Sequence, residues 1–263
     1  MERRTFDSLG GECELFALGI GQDVLAESEA WIRRMHDRLT RFEPSSEVSR
    51  FNASRDWFAV TPELEALLRE SLRAFDLSEG LVNVAVLPAL LAAGYTRDFA
   101  AGPTERAEGQ RVPPLPVVLE LRAGEARLLH RAAVDLGGIA KGWLADRVVE
   151  RLGDNALVNL CGDLCARGGG ETGEGWPVGF GDRTLLLKDM GAATSGTTKR
   201  AWAGGHHLID PRTGLPAQSD LREVSVLAST ATDAEIYAKV ALLLGSRDAP
   251  KWLESRSQGW SLT

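Results

Sequence analysis

Asp135-Leu136-Gly137-Gly138-Ile139-Ala140-Lys141-Gly142-Trp143-Leu144-Ala145-Asp146 is the stretch on which the fold turns. The run over 128–135 reads as a strand ending on an acid. Two glycines then let the chain enter a helix from about 138 to 152. Residues 156–161, short and apolar, read as a buried strand directly after it. Neither GxxxxGK[ST] nor GxGxxG is present, so this is not the nucleotide loop of a P-loop or dinucleotide fold.

Working toward the N-terminus, 117–121 predicts another strand, and the polar, Gly- and Pro-rich 95–116 predicts a surface loop. Residues 77–95 are irregular, with a hinge at Gly80 and a start signal at Pro88. Thr61-Pro62 opens a helix whose buried face is Leu64, Leu67, Leu68, Ser71, Leu72 and Phe75. Ser45 and Ser46 are caps for a short turn through Phe51, and Val24, Ser28, Trp31, Met35 and Leu39 stripe an earlier helix. An early strand covers 12–18, after the Gly10-Gly11 turn. Toward the C-terminus come a Gly-rich loop at 168–175, short apolar runs at 185–187 and 208–209, and a strand near 221–227. A last helix from Thr232 is stopped by Gly245. Helices and strands mix without regular βαβ spacing, which predicts an α+β fold of mixed sheets and packed helices. No clean linker interrupts it, so 1–263 reads as one domain with a variable loop at 96–116.

The 263 residues (28.4 kDa) are 44% apolar, enough for a core without disulfides or a structural metal. The net charge is -7 and basic residues never run beyond two together, which excludes a nucleic-acid footprint. Cys13, Cys161 and Cys165 lack CxxC spacing and read as small buried hydrophobes. No apolar stretch of ~18 residues occurs and no signal peptide is written at the start, so a soluble, cytoplasmic protein is expected.

Several clusters bear on chemistry. Free N–H groups at the helix start suit a phosphate, with Lys141 adding a point charge. Equally, Asp135 is a helix cap and Lys141 a solvated residue. Asp163, beside Gly162 at a strand end, occupies a common ligand position or ties down its own turn. Ala193-Thr194-Ser195-Gly196-Thr197-Thr198 offers hydroxyls to a phosphate or forms a plain turn, and without GxSxG it supplies no serine nucleophile. His206-His207-Leu208-Ile209-Asp210-Pro211-Arg212-Thr213-Gly214 is a rigid turn carrying acid/base and anion-binding groups. Turn chemistry explains Asp210, Pro211 and Gly214 but not the histidines, and zinc would need a third ligand. Thr232-Asp233-Ala234-Glu235 reads as a capping box, with Thr232 as cap and Glu235 reaching back. Asp233 then faces the helix dipole and Glu235 pairs with Lys239.

The order of these clusters resembles the ApbE family of flavin transferases, which move FMN from FAD to a threonine of a partner protein. Leu9-Gly10-Gly11 is similar to the family's Met-Gly-Thr, and Ser46-Glu47-Val48-Ser49-Arg50-Phe51-Asn52 to its SE-hydrophobe-S-R-hydrophobe-N segment. Gly80-Leu81-Val82-Asn83 is similar to its Gly-x-Phe-Asp. The Asp135, Asn159–Asp163, Ala193–Gly196, His207–Pro216 and Thr232–Ala234 motifs follow in family order. The resemblance implies an intertwined α+β fold, FAD as donor substrate, magnesium on its pyrophosphate, and a flavin-accepting protein with a target threonine as partner. It implies that Gly10, Asn83, Asp135, Lys141, Asp163, Thr194 and Ser195 serve the flavin nucleotide. His207 would relay the threonine proton, with Asp210 in the same catalytic motif, and Asp233 would ligate the metal. Three positions depart from the family: Gly11 and Tyr237 replace threonines, and Asn83 replaces an aspartate. Tyr237 lies one helical turn beyond Asp233, so its ring must swing aside or a water must replace that ligand. The alternatives to transfer are a FAD hydrolase and a flavin-nucleotide-binding protein.

Overall fold

The computed structural model describes residues 1–181, 183–202 and 205–263, and its architecture is α+β. The chain forms two compact units. The first comprises Met1–His36, Ile139–Ser195 and Glu223–Thr263; the second comprises Asp37–Gly138 and Gly196–Arg222. Crossings between them fall near 36, 138, 195 and 222, none within the 96–116 loop.

The first unit holds a seven-stranded sheet whose spatial order is its chain order. The strands are Glu2–Ser8, Gly11–Ala17, Ala156–Leu160, Asp163–Arg167, Met190–Gly196, Glu223–Ala228 and Gly259–Leu262. The first five pair antiparallel in succession, as do the last two. Two hairpins in this sheet close on two-residue turns, Leu9-Gly10 (φ 55° and 82°) and Cys161-Gly162 (φ 59° and 97°). Positive φ at both positions matches the twist of the flanking strands. Holding Leu9 and Cys161 there costs roughly 1–2 kcal/mol each, since a Cβ crowds the backbone in that region. A separate two-stranded sheet, Trp176–Phe180 with Arg183–Leu187, shares a core cluster of Leu157, Ala166, Trp176, Leu187 and Leu227.

Helices Ala140–Leu152 and Ala231–Leu253 pack together, the former against the Ala156–Leu160 and Asp163–Arg167 strands. Each covers the other's exposed N-terminal donors. Asp146, on the first helix, accepts the N–H groups of Ala231 (2.8 Å) and Thr232 (3.0 Å) and the Thr232 hydroxyl (2.5 Å). Glu235, on the second, accepts the Gly142 N–H at 2.8 Å. The reciprocal arrangement satisfies first-turn donors that a lone helix leaves open. It also corrects the capping box: the cap is Thr230, whose hydroxyl accepts the Asp233 N–H at 3.0 Å, while Thr232 and Glu235 serve the neighbouring helix. Gly245 breaks the last helix as expected (φ 78°), but the chain re-enters helix as far as Leu253.

Gly142 sits where the two helices meet. A Cβ there would stand 2.6 Å from the Ala231 carbonyl oxygen. Gly142→Ala should therefore cost about 1–3 kcal/mol through overpacking, although alanine is the better helix former. Urea unfolding that found this variant as stable as wild type would refute the tight crossing.

The second unit contains helices Glu47–Ala53, Pro62–Leu77 and Leu87–Ala92 and a three-stranded sheet ordered Phe58–Ala59, Glu125–Leu128, Leu119–Arg122. Ser46 and Thr61 cap the first two helices. The expected strand over 128–135 is overturned, because it ends at Leu128. His130 and Arg131 then adopt φ of 53° and 58°, and the Ala132 N–H closes a turn on the Leu129 carbonyl. Likewise 115–118 forms a short helix, so the neighbouring strand begins only at Leu119.

Candidate functional site

In the first unit, four charged side chains form an alternating row. Asp163 opens its strand and accepts a hydrogen bond from Lys141. Lys141 Nζ lies 3.9 Å from Glu235 Oε1, and Lys239 Nζ donates to that same oxygen at 2.9 Å. Asp163 and Glu235 are each 1% exposed. Burial pushes the Asp163 carboxyl up to about 6, against the pull of the Lys141 ammonium. Burial works the same way on Glu235, but Lys239, Lys141 and the Gly142 N–H overcome it and hold that carboxyl below the usual range. Burial favours neutral Lys141, yet Asp163 and Glu235 hold it above the ordinary lysine range. Two carboxylates and two ammonium groups thus alternate along the row. Lys141, whose side chain is only 17% exposed, is not the solvated residue of the simpler reading.

The helix starts at Ala140, not 138, and no side chain of its N-cap residue Ile139 caps it. The Gly142 N–H is committed to Glu235, so it is not free for an anion. Gly10 occupies its hairpin turn with φ 82°. Thr194 and Ser195 lie on a strand rather than in a turn, because Met190–Gly196 continues the sheet beyond the Ala193–Asp163 pair. The Thr194 hydroxyl lies 2.8 Å from that of Ser225, and Ser195 is buried. Asp233, half-buried, is the third residue of its helix. One turn on, the Tyr237 ring is buried and packs edge-on against Trp252 at 5.4 Å.

In the second unit Asp135 is not a helix cap. Its Oδ1 accepts the Gly137 N–H at 2.8 Å, and its Oδ2 accepts Arg41 Nε at 2.5 Å. Arg41, 6% exposed, also donates to the Tyr95 carbonyl at 2.8 Å and stacks on the Phe42 and Tyr95 rings. This arginine had no sequence signal: it is one basic residue in a polar loop. Asn83 is fully engaged in structure, accepting the Ala85 N–H and donating to the Pro113 carbonyl, each at 2.9 Å.

The histidine loop resolves into two roles. His206 Nδ1 accepts the Leu208 N–H at 3.2 Å and Nε2 lies 2.9 Å from the Ala217 carbonyl, so the ring is neutral with its proton on Nε2. Burial lowers its pKa, in keeping with that state. His206 thus joins the two ends of the loop, which accounts for one of the histidines that turn chemistry left over. His207 is half-buried and anchored through its N–H on the Arg200 carbonyl at 3.2 Å. Asp210 takes Arg212 in a bidentate pair (2.9 and 2.8 Å), while its carbonyl accepts the Thr213 and Gly214 N–H groups.

Among the described residues no group of three or more His, Cys, Asp and Glu converges as a metal cage. Magnesium does not require one, since it usually takes one or two carboxylates and fills its shell with substrate phosphate oxygens and water. A single carboxylate such as that of half-buried Asp233 suits that mode. Among the described residues no helix is long and apolar enough to cross a membrane.

The sequence profile of the ApbE family matches residues 9–262. The FAD:protein FMN transferase of Haemophilus influenzae is 28% identical over 258 residues, covering 85% of this chain and 73% of that protein. The corresponding protein of Treponema pallidum is 36% identical over 137 residues, 43% of this chain and 38% of its own. Among solved structures, the ApbE protein of Thermotoga maritima superposes with a TM-score of 0.87 at 20% identity, over 99% of this chain and 93% of that one. The apo flavinyl transferase ApbE of Pseudomonas stutzeri gives 0.83 at 21%, over 100% and 93%. At these identities the structural likeness speaks to the fold.

Proposed function

This chain belongs to the ApbE family, and from that premise we propose that it transfers FMN from FAD to a threonine hydroxyl of an acceptor protein, releasing AMP. The observation that carries the reading is the row Asp163, Lys141, Glu235, Lys239. Charges fixed in place before substrate arrives are what phosphoryl transfer asks of a protein, because the chemistry is mostly positioning and neutralisation.

In this reading Gly10, Lys141, Asp163, Thr194 and Ser195 serve the flavin nucleotide. Asn83 and Asp135 act by shaping their loops, each through the hydrogen bonds described above. The threonine oxygen attacks the FMN phosphorus, the bond from that phosphorus to the AMP oxygen breaks, and His207 takes the hydroxyl proton. Asp210 holds the His207 loop through its pair with Arg212. Asp233 would carry magnesium, which when bound neutralises pyrophosphate oxygens.

The test is FAD turnover with and without magnesium, followed by chromatography of AMP and mass measurement of an acceptor. AMP with an FMN-labelled acceptor supports transfer. AMP without label makes the protein a hydrolase, and intact bound FAD makes it a binding protein. Asp233→Asn should raise the magnesium concentration needed for half-maximal AMP release, whereas an aspartate that only faces the helix dipole would lower only thermal stability. Tyr237→Thr should lower that requirement if the tyrosine weakens the cation position. An unchanged magnesium response in Asp233→Asn would detach the metal from this residue.

A further inference from the structure

We propose that Cys13 and Cys161 are a paired modification site, a dithiol that a peroxide converts into a reversible intramolecular disulfide. Their sulfurs lie 3.9 Å apart, Cys13 on its strand and Cys161 in the turn that follows the neighbouring antiparallel strand. The register pairs Cys13 with Leu160, so an extended residue at 161 would face away from Cys13. The left-handed turn at Cys161 (φ 59°) instead brings its side chain back over Cys13. Both thiols are directed at one acceptor, the Ser8 carbonyl, at 3.6 Å for Cys13 and 3.4 Å for Cys161.

Room for this arrangement comes from Gly11. A Cβ at that position would stand 3.3 Å from Cys161 Sγ, tighter than an ordinary contact. The glycine that departs from the family's threonine thus accommodates the thiol. A disulfide needs the sulfurs to close to about 2.05 Å, a movement within reach of side-chain rotation at a two-residue turn.

The two cysteines differ in the way a reactive and a resolving thiol differ. Cys161 is half-buried in the turn, open to a small oxidant. Cys13 is buried, and the hydrogen bond with Cys161 together with burial raises its pKa. Cys165, also buried, has its pKa raised chiefly by burial and is left as an inert control. In the first step the Cys161 thiolate attacks one peroxide oxygen, the O–O bond breaks, and sulfenic acid and hydroxide form. In the second, the Cys13 sulfur attacks the sulfenic sulfur, the S–O bond breaks, and the Cys13 proton leaves with the departing hydroxide as water. Two thiols are oxidised by two electrons and one peroxide is reduced.

The experiment treats the full chain with limiting hydrogen peroxide, alkylates remaining thiols under denaturing conditions and maps peptides by mass. Titratable thiols should fall from three to one, with residues 13 and 161 linked, Cys165 alkylated, and all three recovered by dithiothreitol. Cys165→Ser should still cross-link. Cys13→Ser should stop at a sulfenic acid on residue 161 that dimedone captures. Three alkylated thiols after treatment, a link through Cys165, or links only between chains would each overturn the proposal. None of these readouts depends on flavin turnover.

Discussion

Replacing Lys141 with alanine should destabilise the fold by about 3–5 kcal/mol near pH 8, the cost usual when one member of a buried ion pair is removed. Asp163 would be left 1% exposed without its hydrogen-bonded ammonium, and Lys239, bonded to Glu235, would act on it only through its more distant charge. The pH dependence follows from the sign of the Asp163 shift. Its folded pKa, already about 6, lies above the ~3.9 of an unfolded chain. Such a group contributes stability fully below its unfolded value, and that contribution is lost as pH rises through the folded value. Without Lys141 the folded value climbs further, so the loss of stability in the variant should shrink as pH falls from about 8 toward 5. Urea unfolding at both ends of that range measures it. Calorimetry should show weaker FAD binding in the same variant. A Lys141→Ala protein within about 0.5 kcal/mol of wild type throughout would make Lys141 an ordinary surface charge.

That row shows where the sequence stops being informative. Thr61-Pro62, and the stripe Ser28, Trp31, Met35 and Leu39, could be read directly because cap, first turn and buried face are all local. The observed cap at Thr61 and the buried stripe agree with that reading. Thr232 and Glu235 satisfy a capping-box pattern equally well, yet their partners, Asp146 and Gly142, lie 86 and 93 residues away in the chain. No spacing rule distinguishes Thr232 from Thr230, two residues earlier, because what decides between them is which helix packs alongside. The missed break after Leu128 has a different cause. His130 and Arg131 adopt the left-handed region without the glycine or asparagine that would announce it. The positions proposed to serve the ligand rest on family order rather than on pattern. Asp163 and Lys141 each had an unremarkable local reading, and their weight arises only once burial brings them together.

His207→Ala should leave FAD affinity nearly intact while lowering AMP release about a hundredfold, within the range for a positioned proton transfer. Its neighbour has a structural part instead. His206 spends both ring nitrogens on the loop, Nδ1 on the Leu208 N–H and Nε2 on the Ala217 carbonyl, so it has no proton to exchange while the loop is intact. Removing it should loosen the segment and degrade affinity and turnover together. His207 is fixed through its backbone, and the hairpin of Ile209–Asp210 with Leu215–Pro216 steadies the chain just beyond it. Truncating the ring to alanine leaves those backbone bonds in place. Calorimetry with FAD and single-turnover AMP release, run on both alanine variants, separate the two roles. Parallel losses of affinity and rate in His207→Ala would make it a second positioning residue. Unchanged AMP release would take the proton transfer away from this histidine altogether.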